Sequence, residues 1–168
     1  MAARDILKNF AAFVDGRGYA GEVQSYNPPA ITLTTEAMRN GGMDAPIDLD
    51  MGMEGLTTSF VLSKYDYEVL ALFGVAEGSD VPFTVRGAIE SYDGTVKAVV
   101  QHMRGKIIGF DRGEWKPGQM APLTINMSLH YYKETLDGRV THEIDVINMI
   151  RIVGGKDRLA AQRAAMGL

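Results

Sequence analysis

Three carboxylates, Asp44, Asp48 and Asp50, fall within seven residues of the stretch "MRNGGMDAPIDLDMGMEG", which spans residues 38–55. Carboxylates clustered like this can ligate a hard cation, and paired glycines such as Gly41 and Gly42 can bring a backbone close to a phosphate. Neither chemistry fits the spacing. A calcium loop needs oxygen ligands at its first, third and fifth positions and glycine at its sixth; placing Gly52 sixth puts Ile47 first and Leu49 third. The phosphate loop G-x-x-x-x-G-K-[ST] is absent, and no helix start follows. From Ile47 the residues instead alternate. Ile47, Leu49, Met51 and Met53 fall on one side, and Asp48, Asp50, Gly52 and Glu54 on the other. That period predicts a strand with an apolar and an acidic face.

Catalytic sets are no better supported. The three histidines, His102, His130 and His142, lie in strand-like segments, and no nucleophile elbow accompanies them. Glu143 and Asp145 stand two apart, so in a strand they share a polar face without forming an acid–base pair. Trp115 in "DRGEWKPGQ" reads as a loop aromatic packed onto the body. The expectation is no enzyme, no metal and no cofactor. With zero cysteines, a disulfide framework and a thiolate nucleophile are both excluded.

The elements that hold these residues are mostly strands. "NFAAFVDGRGYAGEV" predicts two strands about a turn at Asp15 to Gly18, and "AITLTTEAM" a further strand. "PFTVRGAIESYDGTVKAVVQHMRG" predicts a hairpin closed by a two-residue turn at Asp93-Gly94. "PLTINMSLHYYKETLDGRVTHEIDVINM" repeats the plan at Asp137-Gly138. Two helices interrupt them. "SKYDYEVLALFG" carries Ser63 and Asp66 as a capping box, the stripe Tyr65, Val69 and Leu72, and Gly74 as its stop. Ala-rich "KDRLAAQRAAM" follows Gly154-Gly155 and predicts a short helix at about 156–166. The whole is a single domain over 1–168, mainly β, an antiparallel sandwich or barrel with a flanking helix.

Charge adds one constraint. Residues 41–60 hold four acids and no Lys or Arg, a local balance equal to the −4 of the whole chain. A chain with no cationic excess is not a general nucleic-acid binder, because such binding needs cations that displace counterions. No apolar run approaches the ~18 residues of a membrane span, and the N-terminus shows no secretory signal. The 38–55 stretch is too long for a turn and too apolar to be left in water. It predicts either an extended arm seeking a sheet edge or a neighbouring subunit, or an insertion that folds back on its own domain.

With "MRNGGMDAPIDLDMG", "GEWKPG", "YYKETLDGR" and the ending "EIDVINMIRIVGGKDRLAAQRAAMGL", the chain resembles the major tail tube proteins of contractile-tailed phages and R-type pyocins. The likeness runs from about Phe10 to Leu168 and is weakest before Asn9. It implies a tail tube fold whose six copies close into a ring. Rings stack into a hollow tube, the sheath surrounds it, and contraction drives it through the target envelope. The implied partners are further copies, the sheath, and the baseplate, tape-measure and terminator proteins. In a phage, DNA passes through the lumen without specific binding. The implied setting is a virion tail or a headless tailocin, assembled in the host cytoplasm. The alternative is the tube of a headless R-type pyocin-like particle or related injection system, and a monomeric β-barrel binding module or enzyme is the rival class.

On that resemblance, Arg39, Gly41, Gly42, Met43, Asp44, Met51 and Met53 of the arm, with Leu159, Met166 and Leu168 of the C-terminal helix, are the expected subunit interface. The expected lumen-facing residues are Thr84, Arg86 and Glu90, then Lys97 and Gln101, then Asn126, Ser128 and His130, and lastly Thr141, Glu143 and Asp145.

Overall fold

The computed structural model describes residues 4–19, 21–74, 76 and 78–168. Among the described residues, twelve strands and two short helices run in the order β1 (Ile6–Val14), β2 (Arg17–Gly18), β3 (Val23–Asn27), β4 (Leu33–Met38), β5 (Ile47–Met53), β6 (Leu56–Leu62), α1 (Tyr67–Ala71), β7 (Val81–Glu90), β8 (Val96–Asp111), β9 (Leu123–Leu136), β10 (Arg139–Asp145), β11 (Ile150–Val153), β12 (Lys156–Asp157) and α2 (Ala160–Met166). The expected mainly β, antiparallel architecture is what forms.

The main sheet runs β12-β11-β10-β9-β8-β7-β1-β2. Strand β9 is the branch point. One edge pairs with β8, while the other pairs with β6 through Leu123–Leu129 and with β10 through Tyr131–Leu136. His130 lies where the partner changes. It is also the extra residue of a bulge, because Tyr131 faces Arg104 while Leu129 faces Gly105. Gly105 is required there: a Cβ on it would meet the Ser128 carbonyl oxygen at 2.0 Å.

Strand β6 carries β3 across the face of β7 and β8, which closes the core. Phe60 stacks on Phe83 at 4.7 Å between centroids, and Tyr26 meets Phe83 edge-on. Alternation along β9 sends Leu123, Ile125, Met127 and Leu129 inward, and Val69 of α1 joins the same cluster. The cap of α1 differs from expectation. Asp66 is the N-cap, accepting from the Glu68 N–H at 2.9 Å, and the helix ends at Ala71 with Leu72 as C-cap. Gly74 does take a left-handed φ of 66°, two residues beyond that cap. Helix α2 begins at Ala160, since Lys156 and Asp157 pair with β11 as β12.

The two hairpins close differently. Asp137 and Gly138 both have positive φ, and Leu136 faces Arg139, as a two-residue turn requires. At Asp93-Gly94 only Gly94 has positive φ, and the loop is longer, with the Ser91 N–H donating to the Thr95 carbonyl. Glu90 therefore faces Val96, where a two-residue turn would set it against Lys97. That one-residue difference turns over a whole strand face.

Candidate assembly surfaces

Strands β4 and β5 form a separate two-stranded sheet that pairs with no strand of the body. Its tip holds Arg39, Gly41, Gly42, Met43 and Asp44 in a loop that bonds to itself. The Met43 N–H donates to the Asn40 carbonyl, Arg39 Nε donates to the Met43 carbonyl, and Gly42 takes a φ of 89°. Toward the root, the strict alternation expected from Ile47 to Glu54 fails. Leu33 faces Met53 while Thr35 faces Asp50, so β5 carries an extra residue beside Gly52, whose φ is 114°.

The bulge separates two sets of side chains. Met53, beyond it, packs against the body's core. Asp50 reaches the body too: its Oδ2 accepts from Arg151 Nη2 at 2.6 Å and its Oδ1 from the Gly52 N–H at 2.9 Å. The Arg151 guanidinium, then that N–H, hold the Asp50 carboxyl below its ordinary range. The continuous acidic face expected of this strand is thus broken, with Asp50 committed inward. Ile47, Leu49 and Met51 stay exposed.

At the C-terminus, Leu159 is half-buried while Met166 and Leu168 are exposed. Arg163 ties α2 to the body. Its Nη1 donates to the Met149 carbonyl at 2.7 Å and its Nη2 pairs with Asp157, whose own carboxyl also accepts from the Leu159 N–H. Asp157 thus holds both the guanidinium and the start of the helix. Trp115 remains exposed, donating from Nε1 to the Tyr65 hydroxyl.

The outward face of the sheet is polar and largely paired with itself. Directly opposed residues share a face, so Thr84 on β7, His102 on β8, Lys133 on β9 and Glu143 on β10 form one row. Thr84 Oγ1 lies 3.1 Å from His102 Nδ1, and Lys133 Nζ lies 3.3 Å from Glu143 Oε2. In the next row the Arg104 guanidinium lies over the Tyr131 ring, and Asp145 faces Tyr131. Burial, then Arg86 and Lys133, hold the His102 pKa below its usual 6.5, which keeps the ring mostly neutral at pH 7.

Of the residues expected on one lumen face, Thr84, Arg86, Glu90, Asn126, Ser128, Glu143 and Asp145 lie on the side away from the core. Four depart. Gln101 is buried against Val85 and bonds to Glu134, and Lys97, four residues away, shares that inner side and pairs with Asp5 at the sheet's end. The longer Asp93 loop is the reason. Thr141 is a bulge residue of β10 whose hydroxyl turns to the Glu134 carboxylate, and His130 is the bulge of β9, its Nε2 at 2.7 Å from Asp80 without hydrogen-bond alignment. His102, Arg104, Tyr131 and Lys133 belong to the outer face and were not foreseen. Counting outward from the Asp137-Gly138 turn finds Lys133 and Glu143 only once the Thr141 bulge is known.

Under that face lies a half-buried polar node. Glu134 accepts from Gln101 Nε2 at 2.7 Å, Thr141 Oγ1 at 2.8 Å and the Tyr132 hydroxyl at 3.0 Å, while Tyr26 donates to Gln101. Burial pushes the Glu134 carboxyl up, but the donors Gln101, Thr141 and Tyr132 with nearby His142 outweigh it and leave it below the ordinary value. Among the described residues, no group of three His, Asp or Glu is placed to hold a metal ion.

The body is thus a mainly β, antiparallel fold with a two-stranded hairpin set apart from its main sheet. Residues 4–167 match the family described as phage tail tube protein FII. The chain belongs to the phage tail tube protein family. It is 35% identical over 172 aligned positions to the tail tube protein of Escherichia phage P2, with the whole of both chains covered. It is 31% identical over 160 positions to the major tail tube protein of Serratia phage KSP20, covering 94% of this chain and 92% of that one. As a tail tube protein it is a structural component of the virion tail, assembling into a tube with other tail components. The match begins before Phe10, so the family resemblance includes the first strand.

Proposed function

We propose that this tail tube protein is the repeating subunit of a contractile tail. Six copies close head to tail into a ring, rings stack, and the β4–β5 hairpin straps one subunit to a neighbour. One observation carries the reading: a two-stranded hairpin with no further strand partner among the described residues holds Ile47, Leu49 and Met51 in solvent. An isolated hairpin is marginal in water and gains by burying such a face. Met166 of α2 and Leu168 beyond its cap offer further apolar surface for a neighbour. Ring closure would also remove free sheet edges.

The outer face of β7 to β10 lines the lumen in this reading. Lys133 is paired with Glu143, Arg104 lies on Tyr131, and His102 is mostly neutral at pH 7. Each phosphate neutralised adds salt-dependent affinity, so a lumen whose Lys133 is already held by Glu143 and whose His102 is mostly neutral adds little drag on DNA. The sheath takes the outside and the baseplate, tape-measure and terminator proteins the ends; assembly is in the host cytoplasm. The reading assigns no catalytic step and no cofactor.

Electron microscopy of the purified protein over a range of concentrations tests this. Rings or stacked tubes with a central hole are expected. A chain that stays monomeric at every concentration, with and without sheath and baseplate partners, refutes it. Particles purified from producing cells distinguish a DNA-filled tail from a headless one.

A further inference from the structure

The hairpin joins the body through its two chain ends, yet no strand of it extends the main sheet. Something else must set the direction in which it projects. Packing does part of this, through Met53 against the core. Open clefts of about 460 and 420 Å³ lie on the two sides of the root, and Asp50, Met53 and Arg151 line both.

Asp50 and Arg151 form the partition between those clefts. The Asp50 carboxylate uses one oxygen on the Gly52 N–H of the bulge and the other on the Arg151 guanidinium. Arg151 belongs to β11, where it faces Ile144 of β10, and its side chain is 14% exposed against 40% for Asp50. Arg151 is therefore the enclosed partner, fixed on the main sheet, and Asp50 is the more exposed one on the hairpin. The bulge matters as much as the charge, because without the extra residue at Gly52 the phase of β5 would send Asp50 and Met53 to opposite sides.

We infer that the Asp50–Arg151 pair, seated on the Gly52 bulge, is a clamp that aims the hairpin before assembly, which makes Arg151 a positioning residue for tube formation. The inference rests on the reading of the hairpin as an inter-subunit strap. A hairpin aimed correctly in the free subunit meets its neighbour without an ordering cost at that moment. An unclamped one must be ordered during encounter, so its assembly slows while the body's fold is untouched.

Three variants test the clamp, read by hydrogen exchange, melting temperature and tube nucleation. Asp50→Asn and Arg151→Gln remove one charge each; Arg151→Lys keeps the cation. Hydrogen exchange of the unassembled protein should show residues 33–53 exchanging at least tenfold faster in both neutral variants, with the β7–β9 amides and the melting temperature unchanged. Tube nucleation followed by light scattering should slow by a similar factor, and Arg151→Lys should stay close to wild type in both. Neutral variants that exchange and nucleate like wild type overturn the clamp. So does a loss of melting temperature in both, which would make the pair part of the body's stability. If wild type itself makes no tubes, the strap reading fails, while the exchange experiment still decides whether the pair orders the hairpin.

Discussion

Replacing Gly105 with alanine puts a methyl carbon 2.0 Å from the Ser128 carbonyl oxygen and 2.8 Å from the Leu129 Cα, both backbone atoms. A carbon and a carbonyl oxygen come no closer than about 3.3 Å in comfortable contact. The two strands must therefore part by roughly 1 Å, at the bulge where β9 changes partner. Overpacking of this kind costs about 1–3 kcal/mol. Opposing it, alanine stiffens the unfolded chain and favours the strand by about 0.5–1 kcal/mol. The clash wins, with a net loss of about 2 kcal/mol taken at the upper end of the range. For a domain of this size that lowers Tm by about 4–8 °C. Gly109→Ala in the same strand is the control: a Cβ there meets nothing within 4 Å, and the residue is not in the left-handed region. It should melt at or slightly above wild type. Calorimetry on dilute, unassembled protein is the assay, because assembly would raise the apparent stability by mass action. Gly105→Ala melting with Gly109→Ala would refute the account of the bulge.

Glu134→Gln leaves one acceptor oxygen for three donors and should cost about 1–3 kcal/mol at pH 7, read by urea unfolding. Because the folded Glu134 pKa lies below its ordinary 4.5, the carboxylate's contribution is full above the unfolded value and fades as pH falls through the folded one. The wild-type loss of stability from about pH 5 downward should accordingly be shallower in the variant; parallel curves would show the carboxylate contributes nothing. Gly42→Val forces a β-branched residue to a φ of 89° at the hairpin tip, and tubes should fail to form while the body melts as before. Wild-type polymerisation by that variant would remove the tip from the interface. Deleting residues 156–168 removes β12 and the Arg163 bond to the Met149 carbonyl, so Tm should fall and tubes should be lost. Unchanged melting and assembly would mean that α2 holds nothing together.

Much of this protein is determined by local pattern. Strand positions follow from alternation in "LTINMSL" and its neighbours, the two-residue turn from Asp137-Gly138, and the absence of an EF-hand from the spacing about Gly52. These rest on near neighbours in the chain, where period and turn chemistry act alone. The quoted motifs, carried by the chain itself, were likewise enough to suggest the tail tube family. What only the tertiary structure decided is phase. Bulges at Gly52, His130 and Thr141, and a loop at Asp93 longer than two residues, each turn the side chains beyond them to the other face. That is why Gln101 is in the core and Asp50 meets Arg151, 101 residues away. A bulge is set by the contact across strands: Gly105 lies against the Ser128 carbonyl because β8 and β9 pack there, and no window of β8 alone contains that carbonyl.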